Sequence, residues 1–301
     1  MHAARIRETD EERDVDDILE LWREALPTDV ISRDSWLHYG RMLPPESQLG
    51  DWVGEENGRV VATAYVFLGF ASSDRSAHCR VLVRSSHRRR GLGRALFELV
   101  EAHAAAVGAE RLLAEFEENA AGVAFAQSLG FRQTRAEQTA VLDPCAVQLA
   151  PPADVDLRPL RDVDPRFAYE VDMEAMLDMP STDTFERMEY EDWAGYVLGH
   201  PLLSYDGSFV ALVDGGPAAV SLLTADPESG RASSMFTGTM RAHRGRGLAL
   251  AVKLASIEWA ARNGIVQLAT RNDETNAPML AINRKLGYRP AARRVEYLRD
   301  G

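Results

Sequence analysis

Cysteine is nearly absent: Cys79 and Cys145 are the only two in 301 residues. Two cysteines cannot build a disulfide framework or a structural zinc site, and no metal is expected. Lysine is as scarce, with Lys253 and Lys285 alone, so nearly all positive charge is arginine. No apolar run approaches the ~18 residues that mark a membrane-crossing helix. The start, MHAARIRETDEERD, is acidic and has no apolar centre, which argues against a signal peptide. Positive charge is in deficit, with 34 basic residues against 46 acidic and a formal net charge of −12. Split at residue 150, the halves hold 17 basic against 24 acidic residues and 17 against 22. Neither half is a basic domain, so general nucleic-acid binding is not expected. What remains is an ordinary globular composition, 46% hydrophobic and 27% charged, in a chain long enough for about two domains. A cytoplasmic soluble protein is the expectation. Its acidity favours solubility and also suits a cationic small molecule.

A two-domain length invites a search for an internal repeat. His87-Arg88-Arg89-Arg90-Gly91-Leu92-Gly93 recurs as His243-Arg244-Gly245-Arg246-Gly247-Leu248-Ala249, an offset of 156. Gly108 recurs as Gly264 at that offset; Asn119 recurs as Asn276, and Gly130-Phe131 as Gly287-Tyr288, at 157. Matches in order, with an offset that drifts by one, describe a duplicated globular domain rather than a solenoid, which needs more copies. The Pro/Ala-rich stretch 149–153 is the expected linker, giving domains 1–148 and 154–301.

Each copy reads alike. A short apolar strand from about Cys79 to Arg84 meets a glycine turn, and from Leu92 the apolar residues fall at helical spacing: Leu92, Ala95, Leu96, Leu99. The second copy repeats this with Leu248, Ala251, Val252, Ala255. The helices stop near Gly108 and Gly264, strands begin at Leu112-Leu113 and Val266-Gln267-Leu268, and Asn119 and Asn276 stand as N-caps. Final strands are expected at about Gln138–Leu142 and Val295–Leu298. Hairpins are expected at Glu56-Asn57-Gly58 and around Asp214-Gly215-Gly216-Pro217. The fold class is mixed α/β, one mostly antiparallel sheet flanked by helices in each domain.

A strand that feeds a glycine turn and then a helix N-terminus is an anion site. Backbone amides converge there and the helix dipole favours negative charge. Arg88 to Arg90, or Arg244 and Arg246, add positive potential, and a pyrophosphate is the natural occupant. The Walker pattern is excluded because neither copy ends in Gly-Lys-Ser/Thr. The dinucleotide fingerprint is excluded because Gly91-x-Gly93 and Gly245-x-Gly247 lack the third glycine. Arg-x-x-Gly-x-Gly/Ala fits both copies.

That motif, the helix and strand after it, and Asn-x(10)-Gly-Phe/Tyr resemble the GNAT N-acetyltransferase superfamily. The likeness covers both halves and is nearest to tandem members of actinobacterial type. It implies acetyl-CoA, or another acyl-CoA, as cofactor. Backbone amides from Arg89 through Gly91, Leu92 and Gly93 to Arg94 would hold the pyrophosphate, as would those from Gly245 through Arg246, Gly247, Leu248 and Ala249 to Leu250. Leu82-Val83 and Gly238-Thr239 would orient the thioester carbonyl, and Asn119 and Asn276 would flank the pantetheine arm.

Acyl transfer to an amine needs a base, oxyanion donors and a route for the thiolate. The family's usual acid is a Tyr four residues before the Gly-aromatic pair. Ala126 and Asn283 stand there instead. Asn283 can donate a hydrogen bond but no proton. Base candidates are His78 on the strand before the first turn and Glu117, beside Glu115, on the next strand. In the second half that first strand carries only Ser233, Ser234 and Thr237. The stretch 177–193, with Asp183, Glu189, Met, Phe, Tyr and Trp, is a candidate for gripping a cationic acceptor. The expected function is transfer of a short acyl group from CoA to a primary amine of a small molecule, by direct attack in a ternary complex. An acyl-CoA-binding sensor without turnover and a protein-amine acetyltransferase are the alternatives. A duplicated fold makes its own pseudo-dimer, so a monomer or a homodimer is expected.

Overall fold

Two turns show how closely local backbone chemistry decides this fold. Asn57-Gly58 and Asp214-Gly215 each close a two-residue hairpin with φ of +53° and +77°, and +52° and +80°. Such turns match the twist of the flanking strands, and Asn-Gly or Asp-Gly occupies left-handed backbone most cheaply.

The computed structural model describes residues 4–69, 74–180, 182 and 186–301. The first repeat runs β1 (Arg5–Glu8), α1 (Glu11–Ala25), α2 (Arg33–Met42), β2 (Gly50–Glu56), β3 (Arg59–Leu68), β4 (Ser76–Val83), α3 (Leu92–Ala106), β5 (Arg111–Glu117), α4 (Ala120–Ser128) and β6 (Arg132–Leu142). The second runs β7 (Asp156–Pro159), α5 (Pro165–Met176), α6 (Tyr190–Trp193), β8 (Phe209–Val213), β9 (Gly216–Asp226), β10 (Arg231–Thr239), α7 (Leu248–Arg262), β11 (Gln267–Asp273), α8 (Ala277–Leu286) and β12 (Arg289–Asp300). Among the described residues no helix is long and apolar enough to cross a membrane.

The compact units are not the two repeats. Among the described residues, the first unit holds 4–136, Thr182 and 293–301, and the second holds the rest. The stretch 149–153 parts the repeats in sequence, yet it lies inside the second unit. The cause is an exchange of final strands. In the first unit the strand order is β1-β2-β3-β4-β5-β12. β12 pairs antiparallel with β5 from Arg294 opposite Glu117 to Asp300 opposite Arg111. In the second unit β6 pairs antiparallel with β11, from Leu142 opposite Leu268 to Glu137 opposite Asp273. Each sheet is otherwise antiparallel except for one parallel pair, β4 with β5 and β10 with β11. The architecture is thus mixed α/β with mostly antiparallel sheets.

The exchanged strands are built into the cores. Val295 and Tyr297 are buried with Val66, Ala77, Leu96 and Val100 in the first unit, where Tyr297 meets Phe116 at 5.2 Å. Ala140 and Leu142 are buried with Leu254, Ile257 and Leu268 in the second. Each such large apolar side chain contributes about 1.5–3 kcal/mol.

Repeat positions 97 and 253 differ in chemistry between the two cores. Phe97 packs edge-on against Phe131, centroids 5.7 Å apart. Lys253 stands at the equivalent place, 2% exposed, with its ammonium 5.3 Å from the Tyr288 ring and 3.5 Å from Thr270 Oγ1. Burial pushes its pKa down to about 8.

Two outcomes are expected. Tyr297→Ala costs about 3–5 kcal/mol and lowers hydrogen-exchange protection of β5 amides while β11 amides keep theirs. Lys253→Met stabilises the fold at pH 7 by up to ~3 kcal/mol. Because the unfolded lysine holds a proton that the folded one lacks between about pH 8 and 10.5, wild-type stability carries a rising contribution across that window. The Met variant lacks that rise, as denaturant titrations at several pH values would read.

Candidate active site

Both glycine turns have the same geometry. β4 ends at Val83, a single 3-10 turn spans Ser85–His87, and α3 starts at Leu92; β10, Arg241–His243 and α7 repeat this. Arg88 Nε donates to the Val83 carbonyl at 2.9 Å, and Arg244 Nε to the Thr239 carbonyl at 3.1 Å. Gly91 and Gly247 cap the helices with φ of +84° and +78° and no side-chain capping bond. The first α-helical bonds are Ala95 N–H to Gly91 and Ala251 N–H to Gly247. The amides of Leu92, Gly93 and Arg94, and of Leu248, Ala249 and Leu250, therefore have no intrahelical acceptor. A Cβ built on Gly91, Gly245 or Gly247 would meet no atom within 4 Å. Each turn is a cradle of donors facing open space at the positive end of a helix, and a pyrophosphate fits it. Arg89 takes φ of +63° where the second copy has Gly245 at +75°. The bend is kept in both, at a cost of ~1–2 kcal/mol for the non-glycine residue.

The arginines mostly build the turn. Besides their strand carbonyls, Arg244 pairs with Asp178 at 2.6 Å, and Arg241 binds the same carboxylate with two nitrogens. These two guanidinium groups bring Asp178 down to about 2. Arg90 donates to the Ser86 carbonyl, and Arg246 meets His243 Nδ1 at 3.1 Å; Arg94 is exposed. One carboxylate from the helix behind each turn accepts the first amide of the 3-10 turn. Glu24 takes Ser85 N–H at 2.8 Å and Glu174 takes Arg241 N–H at 2.6 Å. This second repeat element sits at offset 150, where a search at 156 passes over it.

Each turn opens onto a parting of two parallel strands. β4 and β5 pair from Ser76 opposite Arg111 to Cys79 opposite Ala114, and beyond that β4 pairs only with β3. β10 and β11 pair as far as Ser233 opposite Ala269, and a bulge at Met235 takes β10 away. Leu82-Val83 and Gly238-Thr239 lie on those free edges, next to the turns. Gly238 admits no side chain, since a Cβ would stand 2.7 Å from Ala175 on α5.

Past the parting the first unit carries a polar face. Arg80, 4.5 Å above the Trp22 ring, donates to the Glu115 carbonyl at 3.1 Å and to its carboxylate at 3.3 Å. Arg294, 4% exposed, donates to Glu115 at 3.4 Å and to Asp29 at 2.6 Å. Trp22 Nε1 donates to the other Asp29 oxygen. Glu117 stands directly opposite Arg294 in the β5–β12 register. Its Oε2 is buried without a hydrogen-bond partner, and burial pushes its pKa up against the pull of Arg294. Strand alternation puts His78 on this face, on the closed side of the parting, with its ring stacked on Phe67 at 5.4 Å. His78 and Glu117 thus share one face.

The second unit has the same positions with other chemistry. Asp273 is the repeat partner of Glu117, Arg271 of Glu115 and Glu137 of Arg294. Asp273 is 7% exposed and accepts from the Thr275 amide at 2.8 Å and from the Thr275 hydroxyl, closing the turn before α8. Arg271 pairs with Glu137 at 2.9 Å. Asn283 is buried and donates to Asn272 at 2.6 Å, in the packing of α8 on β11. Asn119 and Asn276 both cap helices, accepting from Gly122 and Met279.

The stretch 177–193 is expected to grip an acceptor; among its described large residues Trp193, Tyr190 and Met188 pack against the second unit's core, while Leu177 and Met179 are exposed. Trp193 is 1% exposed and donates to Asp172, whose carboxyl burial pushes up to about 7. Tyr190 packs edge-on against Tyr169, and the Tyr169 hydroxyl donates to the Met188 carbonyl. An aromatic stripe at this spacing serves a core and a pocket equally well in sequence. Glu189 is exposed at the N-cap of α6 with no side-chain bond to it. Asp183 lies outside the described residues.

Sequence reasoning missed Asp29, Arg294 and Asp273. Asp273 was within reach, since it stands 156 residues after Glu117. Asp29 and Arg294 carry no signal of their own, because their role depends on which strands meet.

Comparison with known proteins agrees with this geometry. The acetyltransferase (GNAT) family matches residues 15–131 and again 168–288. No curated protein matches the chain. Among solved structures, the chain is similar to a tandem GNAT protein from the clavulanic acid biosynthesis pathway, with 23% identity over 98% of both chains and a TM-score of 0.74. It is also similar to a GCN5-related N-acetyltransferase from Sphaerobacter thermophilus, with 19% identity over 98% of this chain and 95% of that one, at 0.72. A putative acetyltransferase from Pyrococcus horikoshii shares 12% identity over 100% and 90%, at 0.55. These likenesses concern the fold. With its two family matches spanning most of its length, the chain belongs to the GNAT acetyltransferase family.

Proposed function

We propose that the protein is an N-acyltransferase that moves acetyl, or another short acyl group, from CoA to a primary amine of a small molecule, and that the first unit carries out the transfer. The observation that carries this reading is the coincidence, in one unit, of the glycine cradle, the parted strands and a buried carboxylate oxygen with no partner. Acetyl-CoA would supply the activated thioester. The amides of Leu92, Gly93 and Arg94 would hold its pyrophosphate, and the free edge of β4 at Leu82-Val83 would run along its arm.

Glu117 is the proposed base. A carboxylate kept from water and short of hydrogen bonds holds protons more tightly than an exposed one, and so is better matched to an amine acceptor. Its proton would come from the acceptor, directly or through one water. Ala126, at the position of the usual acid, has no proton to give, and a thiolate is a fair leaving group unaided. His78 is the second candidate for the base, because it is the last residue of its face before the strands part. Arg80 and Arg294 are engaged with carboxylates. The face therefore offers a cationic amine negative rather than positive charge.

The second unit is read as an acyl-CoA-binding domain without turnover. Asp273, at the position of Glu117, is committed to Thr275, and that commitment favours this reading over two active centres. The acceptor is taken to be small, with no nucleic-acid or membrane partner and a cytoplasmic setting.

Isothermal titration with acetyl-CoA tests the cradle. Two binding events are expected, and Gly91→Val and Gly247→Val should each weaken one of them by about 100-fold or more. No binding by the wild type would overturn the reading. Glu117→Gln should lower kcat/KM by ~10²–10⁴ while acetyl-CoA affinity stays as in the wild type. Because the base must be unprotonated and burial raises its pKa, wild-type activity should fall on acidification at a pH above the ordinary glutamate range of about 4.3. If His78→Gln removes that acid limb and Glu117→Gln leaves it, His78 is the base.

A further inference from the structure

The polar face of the first unit is completed from the far end of the chain. Glu117 and Glu115 lie on β5, in the first repeat, and the guanidinium group between the carboxylates comes from Arg294 on β12. We propose that Arg294 is a positioning residue for Glu117: carried in by the exchanged strand, it ties Asp29 and Glu115 into fixed places and sets the charge around the β5 carboxylate. This inference rests on the reading of Glu117 as the base.

Four observations support it. Arg294 and Glu117 are direct cross-strand neighbours, whose side chains stand on one face about 4.5–5.5 Å apart at Cβ. Arg294 is 4% exposed, so its position is set by packing and two carboxylates rather than by solvent. Its bond to Asp29 reaches the α1–α2 connection, which Trp22 also holds through the other Asp29 oxygen. The fourth is a contrast inside the molecule. At the repeat position of Arg294 the second unit has Glu137, and there the carboxylate opposite it, Asp273, is taken up by Thr275. The unit with the arginine keeps its carboxylate oxygen unpartnered, and the unit without it does not.

The electrostatics give the arginine a task. On this face Glu117 has Glu115 on its own strand, Glu296 on β12 opposite Glu115, and Asp29 from the α1–α2 connection. Arg80 on β4, with Tyr65 opposite it on β3, is bound to Glu115. Glu296 accepts from Thr134 and Thr182. Several carboxylates in a half-buried patch repel one another and favour protonation. Arg294 lies among three of them and keeps Glu117 able to ionise in the working pH range.

The test is a carboxyl NMR titration of Glu117 in the full chain without substrate, alongside pH profiles of kcat/KM. Arg294→Met should move the Glu117 midpoint up by about one unit or more. It should cost about tenfold or more in kcat/KM at pH 7, recover in part at alkaline pH, and leave acetyl-CoA affinity unchanged. Arg294→Lys should restore most of the midpoint. A Glu117 midpoint that stays put, or a loss of kcat/KM by the same factor at every pH, would overturn the proposal. Should the Met variant fail to fold, Asp29→Asn decides. It removes a negative charge facing Glu117 and should move the midpoint down; no shift, or an upward one, would overturn the inference. The base reading fails separately, since it falls if Glu117→Gln keeps full activity whatever the titration shows.

Discussion

Everything functional in the first unit hangs on two parallel strands that stop pairing halfway. β4 and β5 hold together as far as Cys79 and Ala114 and then part. The parting leaves the free edge of β4 running into the glycine cradle and sets Arg80, Glu115 and Glu117 around an opening. Strands can part in a sheet only if each keeps a partner on its other side, since unpaired backbone inside a fold is costly. β3 serves β4, and β12 serves β5. The exchanged strand is therefore what lets the opening exist.

Duplication gave two frames, and the frames then diverged at single positions. The cradles are nearly the same in backbone, down to the left-handed residue that is Arg89 in one and Gly245 in the other. The carboxylate shortly before each Asn cap, Glu117 in one copy and Asp273 in the other, differs far more in its surroundings. Opposite an arginine it keeps a buried oxygen unbonded; opposite a glutamate it folds back to cap a turn. Phe97 and Lys253 show the same divergence within the cores. An apolar pair was kept in one, and a buried ammonium on a ring is tolerated in the other.

What the sequence revealed follows from which features are local. The glycine turns, the Asn caps and the Asn-Gly and Asp-Gly hairpins were legible because each demands a particular backbone from particular residues. Strand positions were legible from alternation, and the expected strand at Val295–Leu298 lies within β12. Alternation says which face a residue takes and nothing about which strand lies alongside, so the exchange was hidden. Arg294 reads as one of several arginines just before the expected final strand, and only its neighbours make it a buried hub. The stretch 177–193 carries the opposite ambiguity. Tyr190 and Trp193 look equally apt for a pocket; Trp193 is buried with a hydrogen bond to Asp172, and Tyr190 packs partly buried against the Tyr169 ring.

The exchange also sets a clock. β12 emerges about 170 residues after β5, which at ~5–20 residues per second is roughly 10 to 35 seconds of synthesis. Through that interval the first unit has all its other strands and an open edge on β5, while β6, its neighbour in sequence, is already available. A nascent chain must therefore hold β6 for β11 and wait for β12. Of the two units, the first begins first and closes its sheet last.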